Sequence, residues 1–390
     1  MIAAVGCVND LTPEGGWSSP ISEGDKIFVG NRDGNLVRFD PASGNLDNSW
    51  RYPFDDGLGA MYSEPVVVGD IVYGAGYTCR GNSCDGEVFA LNLEDGVSIW
   101  RLELKTKLVG PLAIAGSSLL FSTGEIDGEE EDGTAGYLYA LDISNGAVNW
   151  RMPLDGNAWS GVEVAGIAAY VATMSGTVYA VDTSDNPSFA SDSTSRIRWV
   201  LDAGAALAGP IHAEAGNIYF GDLANNAYKV NTANRSSTSL ASELSAGRGE
   251  WKYDAGAWVW AKPLIEDGTI FISALDGSIH ALDAASGNQK WTVSIEGQIV
   301  SPPTLFDRRR GDTRERALAV PSGEKNVWVI SVIDGRELGV FITDEPVKSS
   351  PLVHGDNLYV HALNGDLKWF SVDDTSKRGC INLKDGGRCD

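Results

Sequence analysis

The stretch Ala281-Leu282-Asp283-Ala284-Ala285-Ser286-Gly287-Asn288-Gln289-Lys290-Trp291 decides how the rest of the chain is read. It closes an apolar strand on an Asp, turns through a Gly and opens the next strand at a Trp. The same order stands at Ala140-Leu141-Asp142, Gly146 and Trp150, and at Ala90-Leu91-Asn92, Gly96 and Trp100. A looser copy is Phe39-Asp40, Gly44 and Trp50. Self-similarity at a period of tens of residues marks a repeat architecture, in which each unit buries its apolar face against its neighbours.

Working outward from this motif, a whole unit takes shape. Trp17 opens the first one. Ser18 to Ile21 reads as a short strand and Lys26 to Gly30 as a second. Asp33-Gly34 reads as a hairpin turn, because Asp and Gly tolerate the positive φ of two-residue turns. Asn35 to Asp40 is the third strand and Trp50 to Tyr52 the fourth. The order returns from Ser63 to Trp100, Gly110 to Trp150, Ser160 to Trp199, Gly209 to Trp251 and Lys262 to Trp291. A seventh unit starts at Ser301-Pro302 with Gly339 where the Trp belongs; an eighth starts at Ser350-Pro351 and has no closing Trp. Units of roughly 40 to 53 residues suit propeller blades, and no segment sustains the apolar period of a helix.

The expected fold is therefore all-β: an eight-bladed β-propeller of four-stranded antiparallel blades. Trp50, Trp100, Trp150, Trp199, Trp251 and Trp291 should each dock on the neighbouring blade beside the Gly of its turn. Burying such a side chain contributes about 1.5–3 kcal/mol. The absent tryptophans make the ring least uniform at its seam, where Cys380 to Leu383 is the candidate last strand. Residues 1–16 read as a signal remnant, lipobox and tether, and 17–390 as one propeller domain.

Composition excludes several functions. A net charge of −23 over 390 residues argues against nucleic acid, whose phosphates demand Lys and Arg, and against anionic lipid surfaces. It serves solubility. No segment approaches the roughly 20 apolar residues of a membrane span.

The five cysteines locate the chain. Cys79 and Cys84 bracket a short loop, and Cys380 and Cys389 bracket the tail. Two such disulfides imply an oxidising compartment; reduced cytosolic thiols are the alternative. Zinc is disfavoured, since there is no paired C-x-x-C and the four His are scattered. Cys7 follows Ala4-Val5-Gly6, which resembles a lipoprotein cleavage site, although only Met1 to Gly6 precedes it. The alternative is a plain Cys near the N-terminus.

The repeated strand end, Gly turn and Trp resemble the PQQ-like, or quinoprotein, β-propeller repeat family from Trp17 to about Leu383. Within it the chain is most similar to the BamB-like outer-membrane assembly lipoproteins. That resemblance implies a lipid-anchored scaffold in the cell envelope, periplasmic or at the cell surface. It implies protein partners, a monomeric state and no catalysis. It carries no site residues across, because the motif defines packing. Quinoprotein dehydrogenases share the repeat but carry a vicinal Cys–Cys disulfide and a carboxylate-bound calcium. Here no two cysteines are adjacent, and the c-type haem motif C-x-x-C-H is missing. No quinone cofactor is expected.

Other chemistry is sparse. No G-x-S-x-G, H-E-x-x-H or P-loop is found. His212, His280, His354 and His361 sit in strand-like contexts that suit structural roles. The acidic run from Glu125 to Gly133 offers a weak calcium site at Asp127, Glu129, Glu131 and Asp132, without EF-hand spacing; a solvated hairpin is the plainer reading. This run and the Cys79–Cys84 loop both join second to third strands, in neighbouring blades three and two. They predict one enlarged, negative rim for a partner, with Arg80, Asp85, Glu125, Asp127 and Glu130 as candidates. Ser-, Asn- and Ala-rich insertions at 182–195 and 231–249 belong to the opposite face, and Asn234 there starts a glycosylation sequon. The basic cluster Arg308-Arg309-Arg310, Arg314 and Arg316 reads as a solvated hairpin tip, with contact to an acidic partner as the alternative. Three classes remain: a binding scaffold, a quinone- or calcium-dependent oxidoreductase, and a ligand-sensing surface propeller for polysaccharide or peptide.

Overall fold

The computed structural model describes residues 16–53, 57–80, 83–124, 136–185, 193–233, 239–245, 250–374 and 376–389. The N-terminal stretch with Cys7 lies outside them. Among the described residues, thirty-two strands, numbered in chain order, form eight four-stranded antiparallel sheets. Blade 1 holds β1 (Ile21–Glu23), β2 (Lys26–Gly30), β3 (Leu36–Asp40) and β4 (Asn45–Tyr52). Blades 2 to 8 follow at 66–104, 113–154, 162–202, 212–254, 264–294, 304–342 and 352–382. Each blade runs from a short inner strand to an outer one in sequence order. Hairpins joining second to third strands therefore share one face with the connections between blades. We call it the upper face.

The middle strands are apolar throughout because a blade is covered on both sides. Ser118–Ser122 and Ala168–Ala172 are buried at every residue, as expected for strands sandwiched between neighbouring sheets. The cores form between blades rather than within them: Tyr73, Ala90 and Trp100 of blade 2 pack with Leu119, Tyr139 and Leu141 of blade 3.

The docking tryptophans explain how. Trp100 lies opposite Ala140's counterpart Ala90 on the adjacent strand, with a register shift at Ala90/Leu91; Ala140/Trp150, Ala180/Trp199 and Ala281/Trp291 repeat the pairing. A small residue beside the bulge leaves the indole free to reach the next blade. The Trp50, Trp100, Trp251 and Trp291 indole N–H groups donate to the Leu93, Ile143, Ala284 and Val332 carbonyls at 2.9–3.2 Å. A Cβ on Gly146 would stand 2.6 Å from the Trp100 ring, and Gly146 has φ +72°. Close approach and left-handed backbone both require glycine there.

Two docking sites depart from the expected Trp-on-Gly contact. The insertions of blades 4 and 5 replace the glycine turns, so Trp150 and Trp199 meet other groups. A 3-10 turn at Ser193–Arg196 places the Arg196 guanidinium over the Trp150 ring at 4.7 Å. Arg196 is itself fixed by the Asp182 and Ser184 carbonyls. In blade 5 a short helix, α1 (Leu240–Ser245), brings Leu240 into the apolar cluster against which Trp199 packs. The described parts of these segments thus cover the neighbouring indoles. The sequon at Asn234 lies outside the described residues.

The ring closes without exchanging a strand, since blades 1 and 8 take all their strands from their own ends. Arg378–Asn382 is the last outer strand, β32, as expected from Cys380 to Leu383. Gly379 occupies the docking position of blade 8, opposite Trp369. The missing indole has therefore moved one strand inward: a Cβ on Gly379 would stand 2.1 Å from the Trp369 ring. Trp369 instead faces Phe39 of blade 1, with centroids 5.3 Å apart. Gly44, the turn glycine of blade 1, has open space about its Cβ position.

Candidate functional site

Three features of the upper face bear on function: a long hairpin, the mouth of the central channel, and a groove at the seam. The hairpin belongs to blade 2. Its strands β6 (Ile71–Arg80) and β7 (Ser83–Asn92) run ten residues each, where the second strand of most blades has five. Cys79 and Cys84 form a directly cross-strand disulfide within it, which holds the projecting pair together. Arg80 and Asp85 are both exposed near its tip.

Asp85 is not an uncompensated acid, because it forms an ion pair with Lys105. The negative rim expected from sequence is to that extent weaker on blade 2. The acidic run, with Glu125, Asp127, Glu129, Glu130, Glu131 and Asp132, lies outside the described residues. Its flanking strands, Ser118–Ser122 and Gly136–Asp142, are the second and third of blade 3. The run therefore leaves from the same face, on the neighbouring blade.

The channel mouth is built from one repeat position just ahead of the inner strand, the first residue of Trp17-Ser18-Ser19-Pro20, Tyr62-Ser63-Glu64-Pro65, Trp159-Ser160-Gly161-Val162 and Trp260-Ala261-Lys262-Pro263. Trp17, Tyr62, Trp159 and Trp260 fill it in blades 1, 2, 4 and 6, and line a cavity of about 380 Å³. Below them Ile114 and Val162 of the inner strands, and Ile211 just ahead of one, complete the lining. Trp17 packs edge-on to Tyr62 at 4.5 Å, and the Lys348 ammonium lies 4.8 Å from the Trp17 ring.

Charged groups stand just beneath this collar. Glu163 of blade 4 reaches the next two blades: its carboxylate accepts from the Ala213 backbone N–H at 3.1 Å and the Lys262 ammonium at 2.7 Å. Glu64 also lines the cavity. It faces the lumen, yet protein surrounds it closely. That enclosure raises its carboxyl pKa, against the pull of Lys262 across the channel. Among the described residues its carboxylate has no hydrogen-bond or ion-pair partner.

The seam groove, about 920 Å³, lies between Arg32 and Asp33 of blade 1, Thr78 of blade 2, and Asn364 and Lys384 at the end of the ring. It is polar and open. Nearby, Asp366 approaches Cys380 and Cys389 closely enough to imitate a metal site. The two sulfurs are bonded to each other, and Asp366 already accepts from Asn364 and Asn382. These residues do not suit a metal.

The remaining sequence candidates fall into structural roles. The basic cluster of blade 7 is less solvated than expected: Arg316 pairs with Glu266 of blade 6 at 2.9 Å and with Asp307, and the Arg309 N–H donates to Asp373 of blade 8. All four His lie in strands. The collar itself was missed. Aligning the repeats at Trp17, Tyr62, Trp159 and Trp260, just ahead of each first strand, is the signal that finds it.

A ring of eight blades, six of them sending an outer-strand indole onto the next blade, defines the class: a PQQ-like β-propeller. The chain belongs to the family described as outer membrane protein assembly factor BamB, whose profile matches residues 84–188 and 188–339. It is 24% identical over 389 residues to the outer membrane protein assembly factor BamB of Salmonella typhimurium, covering 92% of this chain and 87% of that one. The crystal structure of BamB from Moraxella catarrhalis shares the fold, with a TM-score of 0.62 at 15% identity over 90% of this chain and 93% of that chain. A quinohemoprotein alcohol dehydrogenase of Pseudomonas putida shares it as well, with a TM-score of 0.62 at 12% identity over 93% of this chain and 71% of that chain. Among the described residues, no helix is long and apolar enough to cross a membrane.

Proposed function

We propose that this protein is a non-catalytic scaffold of the cell envelope that binds protein partners, as a monomer, in outer-membrane β-barrel assembly. Membership of the BamB family carries the reading. A rigid ring with a projecting, disulfide-pinned hairpin supports it, because a stiff edge loses little freedom on binding. Cys7 is the proposed lipid anchor, and the periplasm or cell surface the proposed location. The partner surface is the upper rim of blades 2 and 3, from Arg80 to the acidic run.

The channel residues support a protein without a quinone cofactor. A polyanionic quinone needs cations, whereas Lys262 is committed to Glu163, Lys348 rests on Trp17, and Glu64 adds a carboxylate with no hydrogen-bond or ion-pair partner among the described residues. Dye reduction on adding pyrroloquinoline quinone with calcium should stay at background; a quinone-dependent rate would restore the oxidoreductase reading.

The direct test is capture from a solubilised envelope with the full chain as bait. A β-barrel assembly protein should co-purify, and Arg80→Glu combined with reversal of Glu125, Asp127 and Glu130 to Lys should reduce its recovery. Unchanged recovery would remove the rim from the interface; no β-barrel assembly protein in the eluate would remove the scaffold reading. Intact mass of the mature chain tests the lipid on Cys7.

A further inference from the structure

The central channel holds a built site that the scaffold reading does not use. Its mouth presents aromatic faces from separate blades: Trp17, Trp159 and Trp260 all line one cavity of about 380 Å³ and are each only partly covered. Such faces attract cations through their negative quadrupole. The collar already accommodates an ammonium, since Lys348 lies 4.8 Å from the Trp17 ring.

Two carboxylates, Glu64 and Glu163, and two ammoniums, Lys262 and Lys348, stand at the mouth, so the sign of the ligand turns on which of them is already engaged. Lys262 and Glu163 cancel at 2.7 Å, and Lys348 is placed on Trp17. Glu64 is the carboxylate left without a partner among the described residues. Glu64 opens onto the lumen and feels Lys262 only from across the channel, so a cation delivered beside it would meet a carboxylate not already paired. Size then decides the shape. The cavity is too large for a bare ammonium and sits at the low end of small-ligand sites. Its lower walls, Ile114, Val162 and Ile211, are apolar. The complementary ligand has an apolar stem and one cationic head.

We propose that the channel mouth binds an amphipathic organic cation, an ammonium or guanidinium on a short apolar stem, with Glu64 as its counter-ion and the indole collar as its wall. The chemistry is that of a Lys or Arg side chain on a partner's loop, or of a free alkylammonium. Binding here does not depend on the rim being a protein interface.

Fluorine NMR of the full chain carrying 5-fluorotryptophan reads the collar directly, with Trp17, Trp159 and Trp260 assigned by single Phe substitutions. The probes are N-acetyl-arginine methylamide, its neutral citrulline isostere, and butyltrimethylammonium. The arginine amide should shift the collar resonances saturably, and Glu64→Gln should weaken it at least about tenfold. Citrulline amide should leave them unmoved. Because Glu64 faces the lumen, Glu64→Gln should fold, which unshifted resonances of the docking tryptophans verify; Trp260→Ala provides a second variant, also expected to weaken binding. If butyltrimethylammonium also saturates the shifts, a free cation suffices; if only the arginine amide does, the site reads a side chain. No saturable shift with either cation, equal binding of citrulline amide, or full affinity in Glu64→Gln would overturn the proposal.

Discussion

The joint between blades 2 and 3 and the joint between blades 8 and 1 solve the same packing problem differently. At the first, Trp100 reaches from an outer strand, donates to the Ile143 carbonyl and lies on Gly146. Its two blades are joined by continuous chain. At the second, the indole comes from the third strand, as Trp369, and rests on Phe39. Polar contacts are added: the His361 Nδ1–H donates to the Ser18 carbonyl, Asn31 to the Leu383 carbonyl, and Lys384 faces Asp33. The Cys380–Cys389 disulfide then ties down the tail, whose Gly386 approaches Leu46 of blade 1. The difference teaches where a ring needs reinforcement. A seam with neither chain continuity nor an exchanged strand bears the entropy of closure on side-chain contacts alone.

The largest effect should come from breaking a regular joint. Trp50 is fully buried, and Trp50→Ala should destabilise by about 3–5 kcal/mol, read as a lower midpoint in guanidinium denaturation. Removing the tail staple with Cys380→Ser and Cys389→Ser should cost about 2–3 kcal/mol, the value for a loop of this length. If closure is the weak point, that loss should appear as faster unfolding. An unchanged unfolding rate would place the weak point elsewhere.

A subtler experiment asks whether seam and regular joint are interchangeable. Gly379→Trp alone should destabilise, because the site is filled by Trp369. Combined with Trp369→Ala it recreates the Ala–Trp pairing of the other blades, and the two changes should couple favourably by about 1–2 kcal/mol. A double mutant equal to the sum of the singles would show that the seam geometry forbids the swap.

The smallest effect concerns pH. Burial at the seam holds the His361 pKa below its ordinary value, despite the Ser18 carbonyl and Asp366. Above the unfolded-state value of about 6.5 the ring is neutral in both states. As pH falls below that value, the unfolded chain takes up a proton that the folded chain resists, and stability is lost. His361→Gln should flatten this acid-side loss, measured as unfolding free energy at neutral and mildly acid pH. His212 and His280, likewise held low by burial, should account for part of the remaining slope.

Much of this was legible in advance because repeats make packing local. The Asp, Gly and Trp spacing located eight blades, their third and fourth strands and six docking indoles, and cysteine spacing located both disulfides. Trp369 was not legible: its role follows from facing Gly379 across a strand pair, and register is set by contacts that sequence does not display. The same holds for Arg196 on Trp150, where an insertion supplies the lid that glycine supplies elsewhere.

The upper face divides along the same line. That blade 2 carries a braced hairpin beside an acidic blade-3 loop could be read from strand order. That Asp85 is neutralised by Lys105, and that Glu64 is left unpaired among the described residues while Glu163 takes Lys262, could not. The sequence by itself determined the fold, since each repeat encodes its own blade and the turn that receives the next indole. Only the tertiary structure decided which residues meet across the ring, because closing a circle brings together side chains from distant repeats, and their pairing depends on distances that no local pattern records.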